Sequence, residues 1–134
     1  MADYAILRCP ACKGRLTEGD GLSCAACKVR YPIVGGVPVM LAGSRHDAEQ
    51  NLEAEKEFYE NMFAGVTGTN DGHCITYGHE RVYEFMEGIE RGSVLEAGCG
   101  GGHNGVNLSK RGFKVTAIDL TLNGIAAAKR LAAH

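Results

Sequence analysis

The sequence predicts an α/β chain in two parts: a small β-rich ribbon over residues 1–43, then the start of a parallel sheet with flanking helices over residues 44–134. Three observations predict it. Four of the six cysteines fall in two CxxC pairs between Cys9 and Cys27. A glycine-rich turn, in "VLEAGCGGGH" from Val94 to His103, follows a short apolar run. Around that turn the patterns run strand, turn, helix, strand, helix, which is how a parallel α/β sheet begins.

The head comes first. "CPACKGRLTEGDGLSCAACK" sets Cys9 and Cys12 eleven residues before Cys24 and Cys27. Zn2+ prefers soft ligands in a tetrahedron, a CxxC turn brings two thiolates to one side of the ion, and two such turns joined by a hairpin complete the shell. The residues that follow, as at Lys13 and Gly14, let backbone N–H groups turn toward the sulfurs and share their charge. A head of this length buries too little apolar area to fold unaided, and structural zinc, contributing on the order of 10 kcal/mol, offsets the deficit. The competing readings are two disulfides or a redox pair. Disulfides need an oxidising compartment that nothing in the sequence indicates. A redox CxxC is expected singly, near a βαβ pattern.

Residues 44–63 read as a helix with Asp47 as N-cap and Gly65 as stop, and with Ala48, Leu52, Glu55, Tyr59 and Met62 along one stripe. Residues 65–78 read as a glycine-rich loop. A second helix from His79 carries Val82, Phe85, Met86 and Ile89 on its apolar face and ends at Gly92. Strand Ser93–Ala97, the turn, a helix to about Arg111, strand Phe113–Ile118 and a helix over Leu122–Ala133 complete the chain.

Charge narrows the function. The net charge is −2, with five Lys/Arg against three Asp/Glu in residues 1–42 and nine against thirteen in 43–134. That balance makes no whole-chain case for nucleic acid. No run approaches the roughly eighteen apolar residues of a membrane span. The N-terminus shows no secretory pattern, so a cytoplasmic setting is expected.

The ribbon and its sequel "VRYPIVGGVPVML" resemble the small zinc-ribbon family that activates tRNA and release-factor methyltransferases, over about residues 5–42. Tyr31 and Ile33 are expected to pack under the ribbon, with Pro32 and Pro38 keeping an edge from pairing further. The resemblance implies a docking surface for a methyltransferase near this tail.

The turn is better written E-x-G-x-G-x-G, from Glu96 to Gly102, than as a dinucleotide fingerprint. A carboxylate beside a phosphate is repulsive, whereas Glu96 suits a cationic ammonium. With Asp119 at the next strand end, Val94–Thr121 resembles class I S-adenosylmethionine-dependent methyltransferases. That resemblance implies S-adenosyl-L-methionine as cofactor and a site at Glu96, Gly98, Cys99, Gly100, Gly102, Asp119 and Leu120. Gly98 would let the cofactor approach the backbone, Gly100 and Gly102 would keep Cβ atoms out of its way, and Asp119 would accept from the ribose hydroxyls.

Cys99 reads as a filler of the turn, not a nucleophile. Cys74 reads as a core or loop thiol, Tyr77 as a packing aromatic, and His73, His79 and His103 fit no metal spacing. No catalytic residue is recognisable. The resembling sheet has about seven strands and this sequence supplies two, so the expectation is an N-terminal portion of a methyltransferase. Open strand edges would then favour a homodimer or a separate methyltransferase chain. Two other functions stay open: a non-catalytic ribbon partner that activates a separate methyltransferase, and an RNA reader resembling ribosomal-RNA guanine methyltransferases. The scarcity of aromatics weighs against the last.

Overall fold

A computed structural model describes residues 4–41, 46–65 and 78–133, with side chains in the two helices after the ribbon described from Leu52 and from Arg81. Contacts group the chain into two compact units, Met1–His46 and Asp47–His134.

The first unit is made of short strands. After a 3-10 turn at Tyr4–Ile6 come β1 (Thr17–Glu18), β2 (Leu22–Cys24) and β3 (Val29–Tyr31), an antiparallel sheet in the order β1-β2-β3. Then β4 (Ile33–Val34) and β5 (Val37–Pro38) form a separate hairpin. Pro38 lies within that hairpin, opposite Ile33, and Pro32 accepts a bond from Val39 N–H at 2.8 Å. The buried hydrophobic cluster is Cys9, Leu22, Cys24 and Tyr31, with Tyr4, Leu7, Leu16, Cys27, Ile33 and Met40 packed around them. Two of the four are cysteines of the CxxC pairs, so the core of this unit and its thiol cluster are one object.

The second unit holds α1 (His46–Ala64), α2 (Gly78–Glu87), β6 (Ser93–Ala97), α3 (His103–Lys110), β7 (Lys114–Ile118) and α4 (Leu122–Ala132). The two strands pair in parallel, Ser93 opposite Lys114 through Ala97 opposite Ile118. The crossover that joins them runs through α3, which packs on β7 and lies beside α4. Val94, Glu96 and Val115 are half-buried, whereas Leu95 and Ile118 are 64% and 48% exposed on the other side of the pleat. Among the described residues each strand has one partner.

Both predicted helices exist, but most of the predicted stripe residues whose side chains are described are exposed. On α1, Leu52, Tyr59 and Met62 are exposed, as is Glu55; the face turned inward carries Lys56, Glu60 and Phe63. Ala48 lies outside the described side chains. Asp47 falls inside the first turn and is not the N-cap, while Gly65 does follow the last helical residue. On α2, Val82 and Phe85 are exposed, whereas Met86 of the predicted stripe does face inward, beside Tyr83; Ile89 is exposed and lies beyond the helix. That helix ends at Glu87, short of Gly92. Polar contacts decide its phase. Tyr83 donates to Asn104 Oδ1 at 2.7 Å, and the Arg111 guanidinium lies 4.5 Å over its ring. Arg91 stacks 4.7 Å over Phe113 and donates to the carbonyls of Met86, Ile89 and Arg111, satisfying the end of the helix. Most of the predicted loop 65–78, with His73, Cys74 and Tyr77, lies outside the described residues, as does the side chain of His79.

Candidate metal centre and cofactor corner

The two CxxC turns repeat one backbone device. Lys13 N–H bonds Cys9 C=O at 2.8 Å and Lys28 N–H bonds Cys24 C=O at 2.9 Å. Both lysines take the left-handed conformation, φ 61 and φ 60, that such a closure requires. The sulfurs of Cys9, Cys12, Cys24 and Cys27 consequently converge, all within 4.8 Å of one another. Zn–S bonds of about 2.3 Å in a tetrahedron put sulfurs about 3.8 Å apart. The Cys9–Cys27 and Cys12–Cys24 separations are 3.9 and 3.5 Å. The cage therefore has the size and donor set for one zinc ion, and it could hold zinc.

Donors surround the sulfurs. Cys27 N–H points at Cys24 Sγ at 3.4 Å. It comes from inside the CxxC turn, not from the residues after it. The Tyr31 hydroxyl lies 3.2 Å from Cys9 Sγ. Sequence reasoning placed Tyr31 in the packing but missed this bond. The sulfurs titrate unequally as a result. Tyr31's hydroxyl, then the Cys12 N–H, outweigh burial and pull Cys9 down to about 6. The Cys12 sulfur, then burial, push Cys27 up to about 12. The same Cys9 contact, with burial, raises Tyr31 to about 12, so the phenol keeps its proton and is the donor. Four thiolates in this volume need a cation.

The second candidate site is the turn between β6 and α3. Gly98 and Cys99 N–H groups both bond Ile118 C=O, at 2.8 and 3.0 Å, which ties the end of β6 to the end of β7. Gly100 N–H donates to Asp119 Oδ2 at 2.7 Å. The other carboxylate oxygen accepts from Thr121 N–H at 2.8 Å and Thr121 Oγ1 at 2.6 Å. Burial works against this carboxylate, but the bonds from Thr121, Gly100 and Leu120 outweigh it and hold its pKa below the usual value. The Asp-x-Thr spacing is an Asx-turn signal that the sequence did carry. Leu120 is half-buried in the bend after Asp119.

The glycines differ in what they face. Gly98 has φ 75 and nothing within 4 Å of a would-be Cβ, so this stretch of backbone is open. At Gly100 a Cβ would lie 2.7 Å from Phe63 Cζ, and at Gly102 it would lie 2.5 Å from Ala128 Cβ. Gly100 and Gly102 therefore answer to packing by α1 and α4. Glu96 points under α3: its Oε2 would lie 2.8 Å from a Cβ at Gly105. That oxygen is buried and has no hydrogen-bond partner among the described residues. Cys99 is buried, and burial, then the Asp119 and Glu96 charges, raise its thiol to about 11. A thiol so raised is a poor nucleophile at neutral pH. His103 begins α3 and joins no metal cluster among the described residues.

Sequence reasoning also missed Glu60 and Phe63. The Glu60 carboxylate accepts from Leu122 N–H at 2.7 Å and Asn123 N–H at 2.8 Å, capping α4, and Asn123 Nδ2 returns a bond to Glu60 C=O at 3.0 Å. No local pattern announces these contacts, because the partners lie more than sixty residues away along the chain.

Ribbon and corner define a zinc-ribbon region joined to a methyltransferase-like domain. Residues 4–36 match the family described as Trm112p-like protein, and residues 69–134 match the family described as tellurite resistance protein TehB. A UPF0434 protein of Methylobacillus flagellatus is 44% identical over 55 residues, covering 39% of this chain and 85% of the relative. Another, of Idiomarina loihiensis, is 40% identical over 55 residues, covering 39% and 78%. One of Cupriavidus taiwanensis is 52% identical over 40 residues, covering 28% and 60%. Through its ribbon the chain belongs to the UPF0434, Trm112p-like family. No solved structure matches it.

Proposed function

We propose that residues 1–43 form a structural zinc ribbon and residues 44–134 the first part of a Rossmann-like S-adenosylmethionine-dependent methyltransferase domain. The observation that carries the reading is the joined corner of Gly98, Gly100 and Asp119 at the C-terminal end of two parallel strands, where open α/β sheets take their ligands. The residues present suit the cofactor. Gly98 leaves the backbone approachable. Asp119 Oδ2 accepts from Gly100 N–H at 2.7 Å, and a carboxylate of this kind can also accept from a ribose hydroxyl. Glu96 offers a buried oxygen in need of a donor, which suits an ammonium group. Cys99, Gly102 and Leu120 shape the same turn. When bound, S-adenosylmethionine supplies an electrophilic methyl group on sulfur; the chain's part is to bind and orient it.

If the sheet holds only the two strands seen among the described residues, affinity should be about tenfold or more below that of a complete domain, each tenfold being ~1.4 kcal/mol. Calorimetric titration with S-adenosylmethionine tests the reading. Asp119→Ala should weaken binding further, and a wild-type protein that gives no heat would overturn it. A labelled-methyl assay should include tellurite among its acceptors, since the description of the matching family names tellurite resistance. Among the described residues Cys9, Cys12, Cys24, Cys27 and Cys99 are thiols, which suits a reducing, cytoplasmic setting.

A second reading has its own observation. The ribbon match covers 85% of one relative's length, so the ribbon serves elsewhere as nearly a whole protein. A portable ribbon that docks a separate methyltransferase, or the exposed strand edges pairing two copies of this chain, would fit that. Light scattering, and co-purification with a methyltransferase chain, separate these from a monomer.

A further inference from the structure

Among the described side chains of α1, the ring of Phe63 is the most buried, at 8% exposure. Three glycines from two elements surround it. Would-be Cβ atoms at Gly100, Gly101 and Gly124 lie 2.7, 3.8 and 3.3 Å from its ring carbons. A side chain on Gly100 or Gly124 would push the ring out, so this cradle is shaped to receive it. One turn earlier, Glu60 grips the first turn of α4 by both carboxylate oxygens and by its own carbonyl. These contacts lie at the same end of the sheet as Gly98 and Asp119, which Gly100 N–H joins. An anchored helix that lays an aromatic ring on the turn of a binding corner does more than cap α4. It flanks the turn that a ligand at that end of the sheet would contact, on the side of Gly100, while Gly98 stays open.

We propose that α1 is the retaining strap of this corner: Glu60 is its clasp, Phe63 its plug, and release of the pair sets the rate of ligand exchange. The proposal rests on the corner being a cofactor site. Glu60 and Phe63 are positioning residues here; they act through the turn and α4.

The test uses the full chain and S-adenosylhomocysteine, followed by stopped flow and calorimetry, with Glu60→Gln and Phe63→Ala. Opening a strap speeds entry and exit together. Both variants should therefore raise the dissociation rate about tenfold, corresponding to ~1.4 kcal/mol, with a smaller change in Kd. A merely structural role would lower the competent fraction and raise the apparent Kd, leaving the dissociation rate alone. Amide exchange at Leu122 and Asn123 reports in parallel whether the clasp has opened. Phe63→Leu replaces Phe63→Ala if the latter melts below assay temperature.

Faster dissociation in the variants supports the strap. Unchanged dissociation rates with Leu122 and Asn123 unprotected overturn the strap and leave the cofactor reading standing. Absence of binding in the wild type and every variant overturns both.

Discussion

Tyr31 shows how one hydroxyl ties a core to a metal site. The ring is part of the ribbon's buried cluster, and the hydroxyl donates to Cys9 Sγ at 3.2 Å. Removing the donor in Tyr31→Phe keeps the packing and takes charge relief from one sulfur. Zinc affinity should fall about tenfold, the lower end for loss of a partner behind a metal ligand. Competition with a chromogenic chelator measures it, and equal affinities would mean that the bond does not tune the site. Asp119 carries a pH signature of the second unit. Its folded pKa lies below the ordinary 3.8, because bonds from Thr121, Gly100 and Leu120 outweigh the opposing effect of burial. A depressed carboxylate stabilises the fold above its unfolded pKa, and that contribution is lost as pH falls through the folded value. Asp119→Asn should therefore melt earlier than wild type at neutral pH. The gap should hold down to about pH 5 and close at pH values below 3.8. A gap that persists in strong acid would assign the loss to something other than the charge.

Strands and helices were unequally legible. Ser93–Ala97 was readable to the residue, because an apolar run ending in a glycine turn has only one way to enter a parallel sheet. The cysteine cage was readable because paired CxxC spacing constrains geometry through the ion it serves. The helix faces were not. Leu52, Tyr59 and Met62 form a plausible apolar stripe on α1, yet Glu60 and Phe63 turn inward. What settles the phase is a carboxylate satisfying orphan N–H groups of α4, a tertiary partnership with no local periodicity. The glycines carry the same lesson: their spacing marked the turn but not which of them faces a neighbour. Gly102→Ala combines φ 80 with a Cβ 2.5 Å from Ala128 Cβ. It should cost about 2–5 kcal/mol, from the left-handed backbone and overpacking together. Gly98→Ala, at φ 75 in open space, should pay only the backbone part, about 1–2 kcal/mol. Urea unfolding of the two variants side by side would show whether α3–α4 packing makes the difference; equal losses would show that it does not.

At the scale of the whole chain, the two units draw their stability from different sources. The second has a parallel strand pair and helices that cap and cover one another. The first has four buried hydrophobic residues among those described, and two of them are Cys9 and Cys24. Leu22 and Tyr31 are what remains of its buried core once the ligands are set aside, and burying two such side chains is worth only about 3–6 kcal/mol. Ordering some forty residues of backbone costs far more than that. Zinc, at on the order of 10 kcal/mol, is then the term that decides whether the ribbon folds. Chelation, or Cys12→Ser, should abolish amide protection in Leu22–Cys24 and Val29–Tyr31 while Ser93–Ala97 and Lys114–Ile118 keep theirs. Hydrogen exchange with and without chelator reads both units in one experiment. A ribbon that stays protected without metal would mean that packing alone suffices, and loss of protection in β6 and β7 as well would mean that the two units fold as one.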